Sequence, residues 1–122
     1  MLKAVIIGAS AGIGKALARE LDQRGYALGV CARRTTLLEE LAAQLTRPAE
    51  IRKLDIRQME ETGAILESFT RAMGELDLVI INAGVNAPNP GFEWDIEENI
   101  IRTNALGFAC AAHAAAHYFL KR

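Results

Sequence analysis

Four short apolar runs alternate with longer stretches of helical period along this chain. The runs at residues 2–7, 26–32, 51–56 and 76–81 have the length and β-branched content of strands. The fourth holds Leu78-Val79-Ile80-Ile81 in succession, the pattern of a strand buried on both faces, whereas Arg52 and Lys53 weaken the third. Between the first two runs, Ile13, Leu17 and Leu21 recur at a spacing of four, and Gly25 supplies a helix stop. Thr36 with Glu39, and Asp55 with Gln58, have capping-box spacing and predict the starts of the second and third helices. The third helix is expected to run through Met59, Ile65, Leu66, Phe69 and Met73. Asp95 and Glu98 predict the start of a last helix, which continues through Ile100, Ile101 and Leu106 into an alanine-rich tail ending at Leu120. Strands alternating with helices in this way predict βαβ units, a parallel sheet and right-handed crossovers in a single α/β domain over residues 1–122.

Composition narrows the function classes. Hydrophobic residues make up 51% and charged residues 24%, the balance of an ordinary globular domain. With 14 basic against 15 acidic side chains the net charge is −1, which argues against a dedicated binder of nucleic acid or anionic membrane. No apolar run approaches the roughly 20 residues of a bilayer span. The apolar stretch at residues 1–8 is too short for a signal peptide and lacks its cleavage pattern. Cys31 and Cys110 lie far apart in apolar surroundings, so a reducing, cytoplasmic setting is expected.

Chemistry is concentrated where the first strand meets the first helix. Gly8-Ala9-Ser10-Ala11-Gly12-Ile13-Gly14 places a glycine at the tight turn, a second where an anion would meet the backbone, and a third where helix and strand approach closely. The helix start behind it offers unpaired N–H groups and the positive end of a dipole to a phosphate. The spacing is G-x-x-x-G-x-G, and Asn82-Ala83-Gly84 follows the fourth strand. Together with Asp55 after the third strand, and Trp94-Asp95 followed by Asn104-Ala105-Leu106-Gly107, these motifs closely resemble the short-chain dehydrogenase/reductase family. The match runs in register along the whole chain. It departs at Ile7, where the family usually has threonine, and at Ile81, where it usually has a first asparagine.

The resemblance implies a Rossmann-type, doubly wound parallel sheet of four strands in the order 3-2-1-4. A dinucleotide would lie across their carboxyl ends, at the switch point between the first and fourth. It assigns Gly8, Ser10, Gly12, Ile13 and Gly14 to the pyrophosphate side. Asp55 and Ile56 would flank the adenine, and Asn82, Ala83 and Gly84 would line the ribose and nicotinamide end. Asn104 corresponds to a family catalytic asparagine that bends the last helix and holds a proton-relaying water; the plainer reading is a polar residue bridging a local break, loosened by Gly107, and both can hold together, with the relay latent for want of a partner. The cofactor type turns on the end of the second strand. There Cys31-Ala32-Arg33-Arg34-Thr35 carries no carboxylate to accept from a ribose 2′-OH, and two guanidiniums suit a 2′-phosphate. Arg33 and Arg34 with Ser10 therefore favour NADP over NAD, although the two arginines could merely solvate the start of the second helix.

The family's catalytic serine and Tyr-x-x-x-Lys pair have no counterpart here: Tyr26 and Tyr118 are the only tyrosines, and neither precedes a lysine by four. The chain thus resembles the N-terminal, cofactor-binding half of a reductase. Full-length relatives would transfer a hydride between NADPH and a small carbonyl or alcohol substrate, whereas this chain alone is expected to be inactive. A non-catalytic dinucleotide-binding or interaction module, and a fragment of a complete enzyme, stay open as alternatives. A homo-oligomer is expected, because the fourth strand would be an apolar edge and the last helix would leave Phe108, Ala111, Ala112 and Ala115 without a packing partner.

Three other groupings carry less weight. Cys110, His113 and His117 share a helix face but lack an acidic fourth ligand, and the surrounding alanines suit close packing better than zinc. Cys31 within an apolar strand behaves as a small hydrophobe. Glu97-Glu98 favours the positive end of a helix dipole rather than acid–base work.

Overall fold

The computed structural model describes residues 1–122. Strands β1 (Lys3–Ile7), β2 (Ala27–Ala32), β3 (Glu50–Lys53) and β4 (Leu78–Ile81) form one parallel sheet in the order β3-β2-β1-β4. Ile6 stands beside Val30 on one flank and Ile80 on the other. Helices α1 (Gly12–Gln23), α2 (Thr35–Ala43) and α3 (Met59–Met73) make the crossovers. After β4 come α4 (Trp94–Ile101), a π-helical turn (Arg102–Gly107) and α5 (Phe108–Leu120).

The period of two along β1 divides the core. Ala4 and Ile6 face Ala18 and Leu21 of α1 and Leu38 and Leu41 of α2, while Val5 and Ile7 face Leu66 and Phe69 of α3 and Ala111 and Ala115 of α5. Phe69 is fully buried and lies over Gly29 of β2, where a Cβ would come within 2.6 Å of its ring. A missing side chain on the strand thus makes room for the largest one in the core.

Several element boundaries differ from the sequence pattern. The strand expected at 51–56 ends at Lys53; the Leu54 N–H still donates to the Ala32 carbonyl of β2 (3.0 Å), and the chain leaves the sheet after it. The strand expected from residue 76 starts at Leu78, since the Leu76 N–H donates to the Tyr118 hydroxyl (2.7 Å). Strand β4 is half-buried rather than buried on both faces, because it forms the sheet's outer edge beside β1. Neither expected capping box forms: α2 starts at Thr35 with Thr36 inside it, and α3 starts after Gln58. The Asp55 carboxylate accepts instead from the Arg57 N–H (3.0 Å). Helix α4 begins one residue before Asp95, its entry tied by Asn89, whose Oδ1 accepts from the Glu93 N–H (2.8 Å). Ile13 does not join the core stripe of α1; it is 69% exposed, and Gly14, Ala18 and Leu21 form the buried face.

The single last helix is interrupted by the π turn. Gly107 permits a contact there that a side chain would block, since a Cβ would lie 2.8 Å from the Ile56 carbonyl oxygen. Ala111 and Ala115 are packed against the sheet, contrary to the expectation that they lack a partner; Ala112 is half-buried, while Ile101, Leu106 and Phe108 are exposed. The Cys110 thiol donates to the Met59 carbonyl (3.5 Å). His113 and His117 stand ring against ring on the exposed side, 4.5 Å apart. No group of three His, Cys, Asp or Glu residues is placed to hold a metal ion. No helix is long and apolar enough to cross a membrane.

Candidate functional site

All four strands deliver their carboxyl ends to one open cleft of about 280 Å³. Gly8, Ser10, Ala11 and Gly12 enter it after β1, and Arg33 and Arg34 after β2. Leu54, Asp55, Ile56 and Arg57 enter after β3, and Asn82, Ala83, Gly84 and Val85 after β4. Thr103 of the π turn completes the wall. The cleft sits where the chain reverses its direction of winding, with β2 on one side of β1 and β4 on the other. Doubly wound sheets bind their ligands at such a point.

The glycine turn has three separate geometries. Gly8 has φ +93°, and a Cβ there would lie 2.6 Å from the backbone nitrogen of Ala83, so the turn is pressed against the end of β4. Gly14 lies beneath it: a Cβ would come within 2.0 Å of the Gly8 carbonyl oxygen. Gly12 has φ +57° and nothing within 4 Å of where its Cβ would be. A side chain there would meet open space, and Gly12 is one of the residues that line the cleft. Helix α1 begins here with Ala11 at the N-cap, no side-chain cap and no acidic residue in its first turn. Alanine is among the poorest N-caps, so the first-turn N–H groups and the positive dipole end are left uncompensated. A cradle bare of side chains in front of uncapped N–H groups fits a phosphate group. Of the five residues expected on this side, Gly8, Ser10 and Gly12 line the cleft. Ile13 points to solvent and Gly14 is buried under the turn, so neither side chain position forms the wall.

Arg33 and Arg34 stand exposed at the mouth, Arg34 as the N-cap residue of α2. Deeper in, Arg57 grips Asp55: Nη2 donates to Oδ2 (2.6 Å) and Nε to Oδ1 (3.0 Å). The remaining Nη1 donates to Asn99 Oδ1 of α4 (2.6 Å). The hydrogen bonds from Arg57 hold the Asp55 carboxyl below its usual range against the opposing effect of burial, and the charge of Arg33 adds to this. The same pairing raises the Arg57 guanidinium above its ordinary value. The expected adenine-side aspartate is therefore in the wall with its carboxylate already engaged by a cation. Ile56 beside it is buried and lines the cleft with its edge. Cys31 has no part in the site; burial pushes its thiol up to about 12.

Asn104 does not line the cleft. Its Oδ1 accepts from the Val85 N–H (2.7 Å) and its Nδ2 donates to the Val85 carbonyl (2.6 Å), so the side chain clamps the loop after β4 to the π turn. The bridging role expected of Asn104 is present, with both ends of its amide on backbone partners. Arg57, Val85 and Thr103 are wall residues that sequence reasoning missed. An Asp-x-Arg step directly after a strand was the available signal for Arg57; for Val85 and Thr103 the sequence offered only the expected break at Asn104 and Gly107, not the π turn it takes.

Sheet order, crossover pattern and glycine cradle define a doubly wound α/β protein with an anion-receptive helix start at its switch point. The family model for short chain dehydrogenases matches residues 3–122. An uncharacterized oxidoreductase of Staphylococcus epidermidis is 30% identical over 121 residues, which is 98% of this chain and 53% of that protein. A short-chain type dehydrogenase/reductase from Mycobacterium marinum superposes with TM-score 0.92 at 28% identity, over 98% of this chain and 51% of that one. The alcohol dehydrogenase of Thermococcus sibiricus, solved in complex with 5-hydroxy-NADP, superposes with TM-score 0.83 at 30% identity, over 93% of this chain and 51% of that one. The chain belongs to the short-chain dehydrogenase family, and it spans about half the length of these relatives.

Proposed function

We propose that residues 1–122 bind NADP(H), with NAD(H) as the weaker ligand, and form the cofactor-binding part of a reductase acting on a carbonyl or alcohol. The observation that carries this reading is the conjunction, in one cleft, of the bare Gly12 cradle at an uncapped helix start with two exposed arginines and no free carboxylate at the end of β2. The N–H groups of α1's first turn would hold the pyrophosphate, those of Ile13 and Gly14 included, and Ser10 would add a hydroxyl. Arg33 and Arg34 would clamp the 2′-phosphate by charge-assisted hydrogen bonds. Asp55 and Ile56 would border the adenine, and Asn82, Ala83 and Gly84 the far ribose and nicotinamide. The complex of the Thermococcus sibiricus enzyme with 5-hydroxy-NADP supports the choice of ligand. When bound, the cofactor supplies or accepts a hydride.

Within residues 1–122 no tyrosine precedes a lysine by four, so this reading assigns to them cofactor binding and not hydride transfer. A general acid typically contributes about 10²–10⁴-fold in rate. Asn104 is assigned a positioning role, holding the Val85 loop. The open edge of β4 and the exposed Ile101, Leu106 and Phe108 support self-association, and the absence of a disulfide framework supports a cytoplasmic setting.

Titration calorimetry tests the reading. NADPH should bind more tightly than NADH, and the difference should collapse in an R33A/R34A variant. Equal affinities in the unaltered chain would remove the basis for the NADP assignment.

A further inference from the structure

Ala111 and Ala115 of α5 are covered by the sheet, which turns the positions two residues further on, 113 and 117, to the outside. Both positions carry histidine, and both histidines are exposed. A spacing of four sets side chains one above the other on a helix, and here the two imidazole rings stand with their centroids 4.5 Å apart. The side chains of α5 that hydrogen-bond are those of Cys110 and Tyr118, so the histidines keep their ring nitrogens free. Cys110, the third soft donor on this helix, is turned away: it is half-buried, with its thiol on the Met59 carbonyl. What the fold leaves outside is a pair of nitrogen donors.

The separation of the rings is that of a chelate. With metal–nitrogen bonds of about 2.0–2.1 Å and a ring nitrogen about 1.1 Å from its centroid, two imidazoles sharing one ion at a right angle have centroids about 4.5 Å apart. At a tetrahedral angle the same bonds would put the centroids about 5.2 Å apart. A right angle between neighbouring ligands belongs to square-planar and octahedral ions, which among nitrogen-binding metals means Cu(II) and Ni(II). The scaffold under the pair is rigid. Helix α5 is pinned along its other face by Ala111 and Ala115, and near its end the Tyr118 hydroxyl accepts from the Leu76 N–H (2.7 Å). Sites carried on such packed elements lose little in ordering their ligands. Ala109 and Ala116, exposed beside the histidines, leave room for the ion's remaining ligands.

We propose that His113 and His117 form a bidentate site for a late first-row divalent ion of right-angled geometry, Ni(II) or Cu(II), with water in the remaining positions. Neither histidine lines the cleft at the strand ends, so the inference is independent of the dinucleotide reading.

Calorimetric titration of the chain of residues 1–122 with Ni(II) tests it, beside H113A, H117A, C110S and the H113A/H117A double variant, each also melted with and without the ion. Alanine is the better helix former, so the histidine variants keep the fold. The parent and C110S should bind one Ni(II) with equal affinity. Each single histidine variant should bind at least about 10-fold more weakly, because the second imidazole no longer acts at high local concentration. Saturating Ni(II) should raise the melting temperature of the parent and leave that of the double variant unchanged. Zn(II), which takes a tetrahedral angle, should bind the parent more weakly than Ni(II). A single histidine variant that binds Ni(II) as the parent does, or a double variant still stabilised by it, overturns the chelate. Lost binding in C110S overturns the two-nitrogen donor set, and tighter binding of Zn(II) than of Ni(II) overturns the right-angled geometry.

Discussion

Replacing Gly14 and Gly12 by alanine, one at a time, should separate fold from function within a single turn. At Gly14 a Cβ would stand 2.0 Å from the Gly8 carbonyl oxygen and 2.9 Å from Asn82 Nδ2. Ordinary carbon–oxygen contacts begin near 3.3 Å, so helix and strand must part by roughly 1.3 Å. Gly8 cannot yield cheaply, because its own Cβ position is 2.6 Å from the Ala83 nitrogen on the far side. Overpacking of this kind costs about 3 kcal/mol or more where the neighbour is backbone. Alanine's better helix propensity returns about 1 kcal/mol. The net loss is at least about 2 kcal/mol, a drop of at least roughly 6 °C in melting temperature for a chain of this size. At Gly12 the Cβ meets nothing, and the cost is the φ of +57°, about 1–2 kcal/mol. On the proposed reading, its methyl would stand where the pyrophosphate approaches the backbone. At the same conversion G12A should melt roughly 3–6 °C below the parent and lose dinucleotide binding, whereas G14A should lose at least that much stability while keeping the cleft open. Thermal melting with and without NADPH checks both. A G14A variant as stable as the parent would refute the packing argument, and a G12A variant that binds normally would refute the cradle.

Asp22 is 5% exposed and accepts from the Thr46 N–H and hydroxyl, both at 2.9 Å, which hold its carboxyl below the usual range. A carboxyl depressed in the folded state contributes stability present above its unfolded value of about 4 and lost as pH falls through the folded one. Urea midpoints should thus be flat at neutral pH and fall below about pH 4, and D22A should lose about 2–3 kcal/mol. F69A should cost about 3–5 kcal/mol by chemical denaturation, since Phe69 is fully buried and nothing on Gly29 can fill the space. If the open edge of β4 mediates self-association, light scattering should give at least twice the chain mass, and Val79→Lys should lower it. A well-dispersed parent monomer at high concentration counts against that association.

The parallel sheet followed from apolar runs separated by helix-length spacers, because period and punctuation are local properties, whereas its strand order came from the resemblance to the family. The close packing of α1 against the end of β1 was legible for a similar reason: Gly8 and Gly14 are written where backbone must approach backbone. Helix starts were read less well. Thr36 and Asp55 had the spacing of caps, but Arg57 captured the Asp55 carboxylate, and Thr36 fell inside α2. A side chain with two polar partners within reach takes the stronger, and spacing alone does not rank them. A break in the last helix at Asn104 and Gly107 was legible, but its form as a π turn was not. It results from Gly107 settling against Ile56 and Asn104 reaching Val85, contacts between segments distant in the chain. Ala111 and Ala115 were misjudged because small residues suit both a covered face and an open one; α5 lies on the sheet, and they are covered.

The claim that the cleft at the strand ends is the dinucleotide site is tested most directly by mapping backbone amide chemical shifts of the labelled chain during titration with NADPH. The account predicts the largest changes at Ser10, Gly12, Ile13 and Gly14, at Arg33 and Arg34, and around Asp55 and Asn82 to Val85, saturating together at one dissociation constant. Tyr118 and Arg122, which line a separate surface hollow, should stay still. Changes confined to that hollow, or none anywhere at millimolar NADPH, would contradict it.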